Sequence, residues 1–195
     1  MIPRHVQIAV TVLLLAMFGA GFFILRLKER AEAERTVSDS RPLAPPVAGP
    51  AARVSLYIAF DDDGVIRPRT TSVALPQEPS LRAREILRAL MTAYLARPSP
   101  HPLAPGADVK DVYLLSGGTA VVDMTAAFAD GHRSGIFVEE LTVASLVQTL
   151  AANVPEVQRV KILVDGKERE TLAGHADLMS FYDVSAVNDL VKAMQ

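Results

Sequence analysis

The chain has 195 residues, half of them hydrophobic, and a net charge of −2 from 20 Lys and Arg against 22 Asp and Glu, with no cysteine. Without thiols there are no disulfides, thiolate metal centres, cysteine nucleophiles or sulfur-linked lipids. The only basic run is a short one at residues 26–35, so the sequence does not read as a nucleic-acid-binding surface.

Residues 6–25, VQIAVTVLLLAMFGAGFFIL, carry no charge. At 1.5 Å per residue a helix of this length covers roughly 30 Å, the thickness of a bilayer's hydrocarbon core. Inside lipid the backbone amides must pair within the segment, which makes a helix the available solution. A cleaved signal has a shorter apolar stretch and a small-x-small exit site, whereas Arg26-Leu27-Lys28-Glu29-Arg30 follows here. Residues 1–25 are therefore predicted to be an uncleaved, single-pass anchor, with membrane lipid as the first partner. Arg26, Lys28, Arg30 and Arg35 follow the span and Arg4 precedes it. Counted alone, these cations lean toward a cytoplasmic C-terminus.

Residues 26–52 are predicted to form a linker, charged at first and then proline-rich. Residues 27–35 favour helix. Residues 36–52, with prolines at 42, 45, 46 and 50, favour extended geometry and a semi-rigid tether of up to about 50 Å at roughly 3.1 Å per residue.

A folded domain is expected from residue 53 to 178, followed by a tail at 179–195. Val54, Leu56, Ile58 and Phe60 alternate with less apolar residues, the pattern of a half-buried strand. Asp61-Asp62-Asp63-Gly64 turns the chain into a second, more polar strand at 65–75. Ser80 is the predicted cap of a helix at 81–96, whose apolar stripe is Ile86, Leu87, Leu90, Met91 and Tyr94. Arg82, Arg84, Glu85 and Arg88 lie away from most of that stripe. A strand at 108–115, a glycine turn at 116–119 and a strand at 120–124 form a hairpin. A loop is expected at 125–135 and a helix at 136–153, with Val143, Leu146, Val147 and Leu150 on one face. A strand at 159–164 turns at Asp165-Gly166, with 167–172 pairing back, and a short helix is expected at 184–194. The fold class is α+β: one mixed, largely antiparallel sheet with two principal helices on one face.

Few residues point to chemistry. In Gly131-His132-Arg133-Ser134-Gly135 the serine stands one place late for a nucleophile elbow, and Ser134 or Gly135 serves equally well near a helix start. His5, His101, His132 and His175 do not pair at helical spacing. His175-Ala176-Asp177, with Asp165, is the nearest approach to a metal set, and a polar loop accounts for it as well. Asp61-Asp62-Asp63-Gly64 lacks the spacing and closing glutamate of a calcium loop. Glu139-Glu140 stand where a helix dipole favours acidic residues. Asp123 lies inside a strand and needs a hydrogen-bonded partner if it faces inward. No phosphate loop or dinucleotide fingerprint is present. No catalytic, cofactor-binding or metal residue is assigned, and no cofactor.

Two blocks resemble the GerMN domain, the module of bacterial spore-germination and sporulation proteins. The first, LAPGADVKDVYLLSGGTAVVDMTAAF at 103–128, has its Pro-Gly turn, glycine turn and "VD" strand. The second, ELTVASLVQTLAANVPEVQRVKILVDGKERETLAGHADL at 140–178, has its helix, proline link, "V-x-x-V" strand, "DG" turn and "GH-x-D-L" close. The resemblance implies a non-catalytic envelope module outside the cytoplasmic membrane, similar in fold to the ring-building domains of secretion and sporulation assemblies. It implies a scaffold or interaction role with a protein partner, self-assembly or peptidoglycan. On this point it overrides the charge count and places the soluble domain on the extracytoplasmic side. The chain departs from the family in having one copy, no lipid-bearing cysteine and no separate wall-binding domain.

Two other functions are compatible with these residues. An envelope hydrolase requires Ser134, His132 or His175 to converge with a carboxylate in a pocket. A small-ligand or glycan binder would stack its ligand on Tyr57, Tyr113 or Tyr182. Exposed apolar residues on the helix beginning at Ile136 would favour the interaction module instead.

Overall fold

The computed structural model describes residues 17, 21–23, 26, 43–46 and 49–193. The chain divides into two units, Met1–Arg41 and Pro42–Gln195. In the first, Met17, residues 21–23 and Arg26 are helical. The Arg26 guanidinium lies 5.2 Å from the Phe22 ring centroid. Among the described residues no helix is long and apolar enough to cross a membrane. Most of the predicted span at 6–25, and all of residues 27–42, lie outside the described residues.

The second unit runs β1 (Ala51–Phe60), β2 (Val65–Ala74), α1 (Pro79–Leu95), β3 (Val109–Leu115), β4 (Thr119–Met124), α2 (Ala126–Asp130), α3 (Ile136–Asn153), β5 (Arg159–Val164), β6 (Tyr182–Asp183) and α4 (Val184–Ala193). It is α+β, but the strands form two sheets where one was predicted. β1 and β2 make an antiparallel ribbon, and the other four are ordered β3-β4-β5-β6. β3-β4 and β5-β6 are antiparallel, while β4 and β5 run parallel from Thr119↔Arg159 to Met124↔Val164. A parallel pair needs a crossover, and α2 and α3 provide it. The expected loop at 125–135 therefore contains a short helix. The expected return strand at 167–172 reduces to single bridges, Val164↔Lys167 and Thr171↔Asp177.

The core is the one the periodicity indicates. Val54, Leu56 and Ile58 of β1 are buried with Ile86, Leu87, Leu90 and Met91 of α1 and Leu146, Val147 and Leu150 of α3. Each such side chain stabilises the fold by about 1.5–3 kcal/mol relative to exposure. The cap of α1 is Glu78, two residues before the expected Ser80. Glu78 accepts from Ser80 N at 2.9 Å and Leu81 N at 2.6 Å, and Pro79 has no N–H to satisfy.

Tyr94 joins these layers through a directional chain. Ala59 N–H donates to the Tyr94 hydroxyl at 2.9 Å, Tyr94 donates to Ser145 Oγ, and Ser145 donates to Tyr57 O at 2.6 Å. Burial pushes the phenol up to about 12. Tyr94→Phe leaves the Ala59 N–H buried without an acceptor. It is expected to cost about 1–3 kcal/mol in urea unfolding, with the slope of the transition unchanged.

The polar side of α1 departs from expectation. Arg84, Glu85 and Arg88 are 4%, 6% and 8% exposed. Residues 43–46 of the proline-rich stretch lie against them, and Arg88 donates to Ala44 O at 2.8 Å and Val109 O at 3.0 Å. Arg84 and Arg88 approach Glu85 Oε1 at 3.1 and 3.4 Å. A groove of about 910 Å³ runs alongside, lined by Leu43, Pro45, Pro46, Val73 and Leu95. Pro50 O accepts from Leu75 N at 3.0 Å. At Gly49 a Cβ would stand 2.0 Å from Leu75 O, so only glycine allows this approach. Gly49→Ala is expected to cost about 1–3 kcal/mol in thermal unfolding, because backbone must move to admit the methyl.

Candidate functional site

The polar groups collect around the first half of α3, whose residues from Leu141 to Leu150 are all buried. Thr142 Oγ1 is the first centre. It lies 2.9 Å from Val138 O and 2.7 Å from both His101 Nε2 and His132 Nε2. With one hydroxyl proton among three neighbours, at least one imidazole donates to it. His132 donates from Nδ1 to Arg133 O at 2.7 Å. Burial lowers its pKa, so the neutral ring leaves Nε2 to accept from Thr142. His101 Nδ1 meets Asp61 Oδ1 at 2.5 Å, and Arg133 pairs with the other Asp61 oxygen. Burial opposes ionisation of Asp61, but the His101 hydrogen bond and the charges of His101 and Arg133 outweigh it and lower its pKa. The histidines expected to be scattered are thus partly gathered, because three loops close over one threonine.

Glu139 is the second centre and is completely buried. Its Oε2 accepts from the backbone N–H groups of Ala173, His175 and Ala176 at 3.0, 2.9 and 2.9 Å. Its Oε1 accepts from Gly135 N at 3.1 Å and His175 Nδ1 at 2.9 Å. Burial pushes its carboxyl up. The His175 hydrogen bond and the N–H groups of Ala176, Ala173 and Gly135 outweigh this and hold it at about 2. The helix-dipole reading of Glu139 misses its main role, which is to fix the loop at 173–176 onto α3.

Ser134 Oγ lies 3.5 Å from His175 Nδ1, so Ser134, His175 and Glu139 do converge. The geometry is not that of a nucleophile relay. A relay places the acid on one imidazole nitrogen and the serine on the other. Here both address Nδ1. Once Nδ1–H is given to Glu139, that nitrogen has no lone pair to take a proton from Ser134.

The other candidates separate. Asp177 accepts from Met179 N at 2.7 Å, and Asp165 pairs with Lys110 at 3.1 Å. His175, Asp177 and Asp165 are not assembled as ligands, and among the described residues no group of three or more His, Cys, Asp or Glu is placed to hold a metal. Asp63 pairs with Arg67 at 2.9 Å. Asp123 is buried and accepts from Gly166 N at 2.7 Å, backing the turn in which Asp165 and Gly166 have φ of 51° and 71°. Tyr57 lies on the ribbon, while Tyr113 and Tyr182 lie on opposite edge strands of the other sheet, so they form no common platform. A groove of about 610 Å³, which no local pattern in the sequence signals, lies between α3, α4 and the loop at 173–176 and is lined by Ile136, Val143, Val187 and Leu190.

The fold and its polar centre define a small α+β module in which ionisable groups anchor loops. The family model described as Germane, sporulation and spore germination, matches residues 55–170, and the chain belongs to that family. Among solved structures the chain is similar to the tandem GerMN domains of the sporulation protein GerM from Bacillus subtilis. The match has 22% identity and a TM-score of 0.51, and covers 67% of this chain and 45% of that one. The chain thus spans less than half of the tandem structure. The first GerMN domain of the same protein matches with 19% identity and a TM-score of 0.48, over 66% of this chain and 94% of that one. No curated protein matches the chain.

Proposed function

We propose that this protein is a single-pass, membrane-anchored GerMN module that works outside the cytoplasmic membrane as a non-catalytic scaffold or interaction domain in the cell envelope. It would serve a sporulation-like, germination-like or peptidoglycan-associated assembly. The observation that carries this reading is the division of labour around α3. Its buried polar groups are spent on loop geometry, while Ile136 and Phe137 at its start are each 65% exposed. Large apolar side chains kept in water beside an internally satisfied polar centre support recognition rather than turnover. The uncharged run at 6–25 and the family membership support the envelope setting.

The hydrolase reading draws on the meeting of Ser134 with His175, but the shared Nδ1 disfavours it. The test of the main reading is protease added to spheroplasts expressing the full chain. Loss of the domain at 53–178 without lysis supports the proposed side, and protection until lysis contradicts it. In intact membranes, chemical crosslinking is expected to yield a complex larger than the monomer. An exclusively monomeric pattern counts against the scaffold role.

A further inference from the structure

We infer that the groove between α3 and α4 seats a partner protein's helix whose contacting face combines apolar residues with lysine or arginine. This inference rests on the interaction-module reading above. The groove's volume of about 610 Å³ suits several side chains, and Ile136, Val143, Val187 and Leu190 give it an apolar floor. Most of its backbone is already paired within the domain. Two walls are helices, and the third is the loop whose Ala173, His175 and Ala176 N–H groups turn inward onto Glu139. An occupant that satisfies its own backbone, as a helix does, fits these walls and binds through side chains.

Charge decides the rest. Glu140 and Asp177 stand on the rim. Glu140 is half-buried, and its carboxylate makes no hydrogen bond or ion pair among the described residues. Besides burial, the charges of Asp177, Glu140 and Glu139 push the Tyr182 phenol up to about 12, which marks a negative field at the groove wall. Lys161, whose charge reaches Asp177, is itself held by Glu168 at 2.9 Å and by Met179 O. A half-buried carboxylate beside an apolar floor is best satisfied by a cation arriving with the partner.

The test places a photo-crosslinking amino acid at Ile136 of the full chain in native membranes, and in a second variant at Tyr113 on β3. Crosslinked partner peptides are identified by mass spectrometry. The expected product from Ile136 is a segment with apolar residues every three or four positions and neighbouring Lys or Arg. Its yield should fall at least tenfold with Glu140→Lys and persist with Glu140→Asp. Because the Glu140 carboxylate makes no internal bond, Glu140→Lys should melt like the parent, and Asp177→Lys supplies a second reversal from a different element. Crosslinks only to a second copy of this chain, crosslinks to a segment without basic residues, or a yield indifferent to both reversals would overturn the inference. Products from Tyr113 but none from Ile136 would reject this groove and leave the interaction module standing. None from either position would reject both.

Discussion

Glu139→Leu is expected to destabilise the domain by about 3–5 kcal/mol, lowering its melting temperature by roughly 10 °C or more. The substitution removes the acceptor for four backbone N–H groups, those of Gly135, Ala173, His175 and Ala176, and for His175 Nδ1. All five donors converge on one fully buried carboxylate, so no second acceptor takes over without moving the loop. The same carboxylate makes stability depend on pH. Its pKa falls from 4.5 in the unfolded chain to about 2 in the fold. A depressed carboxylate pKa means stabilisation that is complete above about 4.5 and lost as pH falls toward 2. By linkage this amounts to about 3 kcal/mol. Urea titrations between pH 5 and pH 2 should show the parent losing stability more steeply than Glu139→Gln, with the two curves converging near pH 2. Parallel curves would mean that the carboxyl has the same pKa in the folded and unfolded chain.

Arg88→Leu is expected to cost about 3 kcal/mol or more. Arg88 is buried, serves Val109 O and Ala44 O, and shares Glu85 with Arg84. Its loss leaves a buried carboxylate with Arg84 as its partner and removes the guanidinium that serves the Val109 and Ala44 carbonyls. Arg88→Lys should recover only part of the loss, because a point charge does not reproduce the planar fork of a guanidinium. The loss has a local signature as well. Residues 43–46 are held across α1 through Ala44 O, so Arg88→Leu should make residues 43–50 markedly more sensitive to proteinase K under native conditions. A variant that loses stability with this segment still resistant would show that α1 alone needs the arginine.

The legible parts of this molecule are those fixed by local period. α3 runs from Ile136 to Asn153, as its apolar spacing indicates, and the stripe of α1 is buried throughout. β1 buries the predicted Val54, Leu56 and Ile58, and the glycine turn and the Asp165-Gly166 turn stand where their residues put them. What escaped the sequence is non-local. Arg84, Glu85 and Arg88 read as a solvent face because nothing in α1 reveals that residues 43–46, some forty positions earlier, lie beside it. Residues 167–172 read as a strand because they follow a tight turn, yet the loop just after them is captured by Glu139 from α3. The split into two sheets was hidden for a related reason, since pairing partners are not encoded in alternation. His101, His132 and Thr142 look unrelated in sequence and meet only after folding, at separations of 41 and 10 residues.

We propose that the polar cluster beside α3 holds structure and performs no turnover. Treating the full chain with a fluorophosphonate, which reacts with activated serines, and reading Ser134 by mass spectrometry puts this to the test. No adduct is expected at Ser134, with an unchanged melting curve for Ser134→Ala. A stoichiometric adduct at Ser134 that disappears in His175→Gln would contradict it.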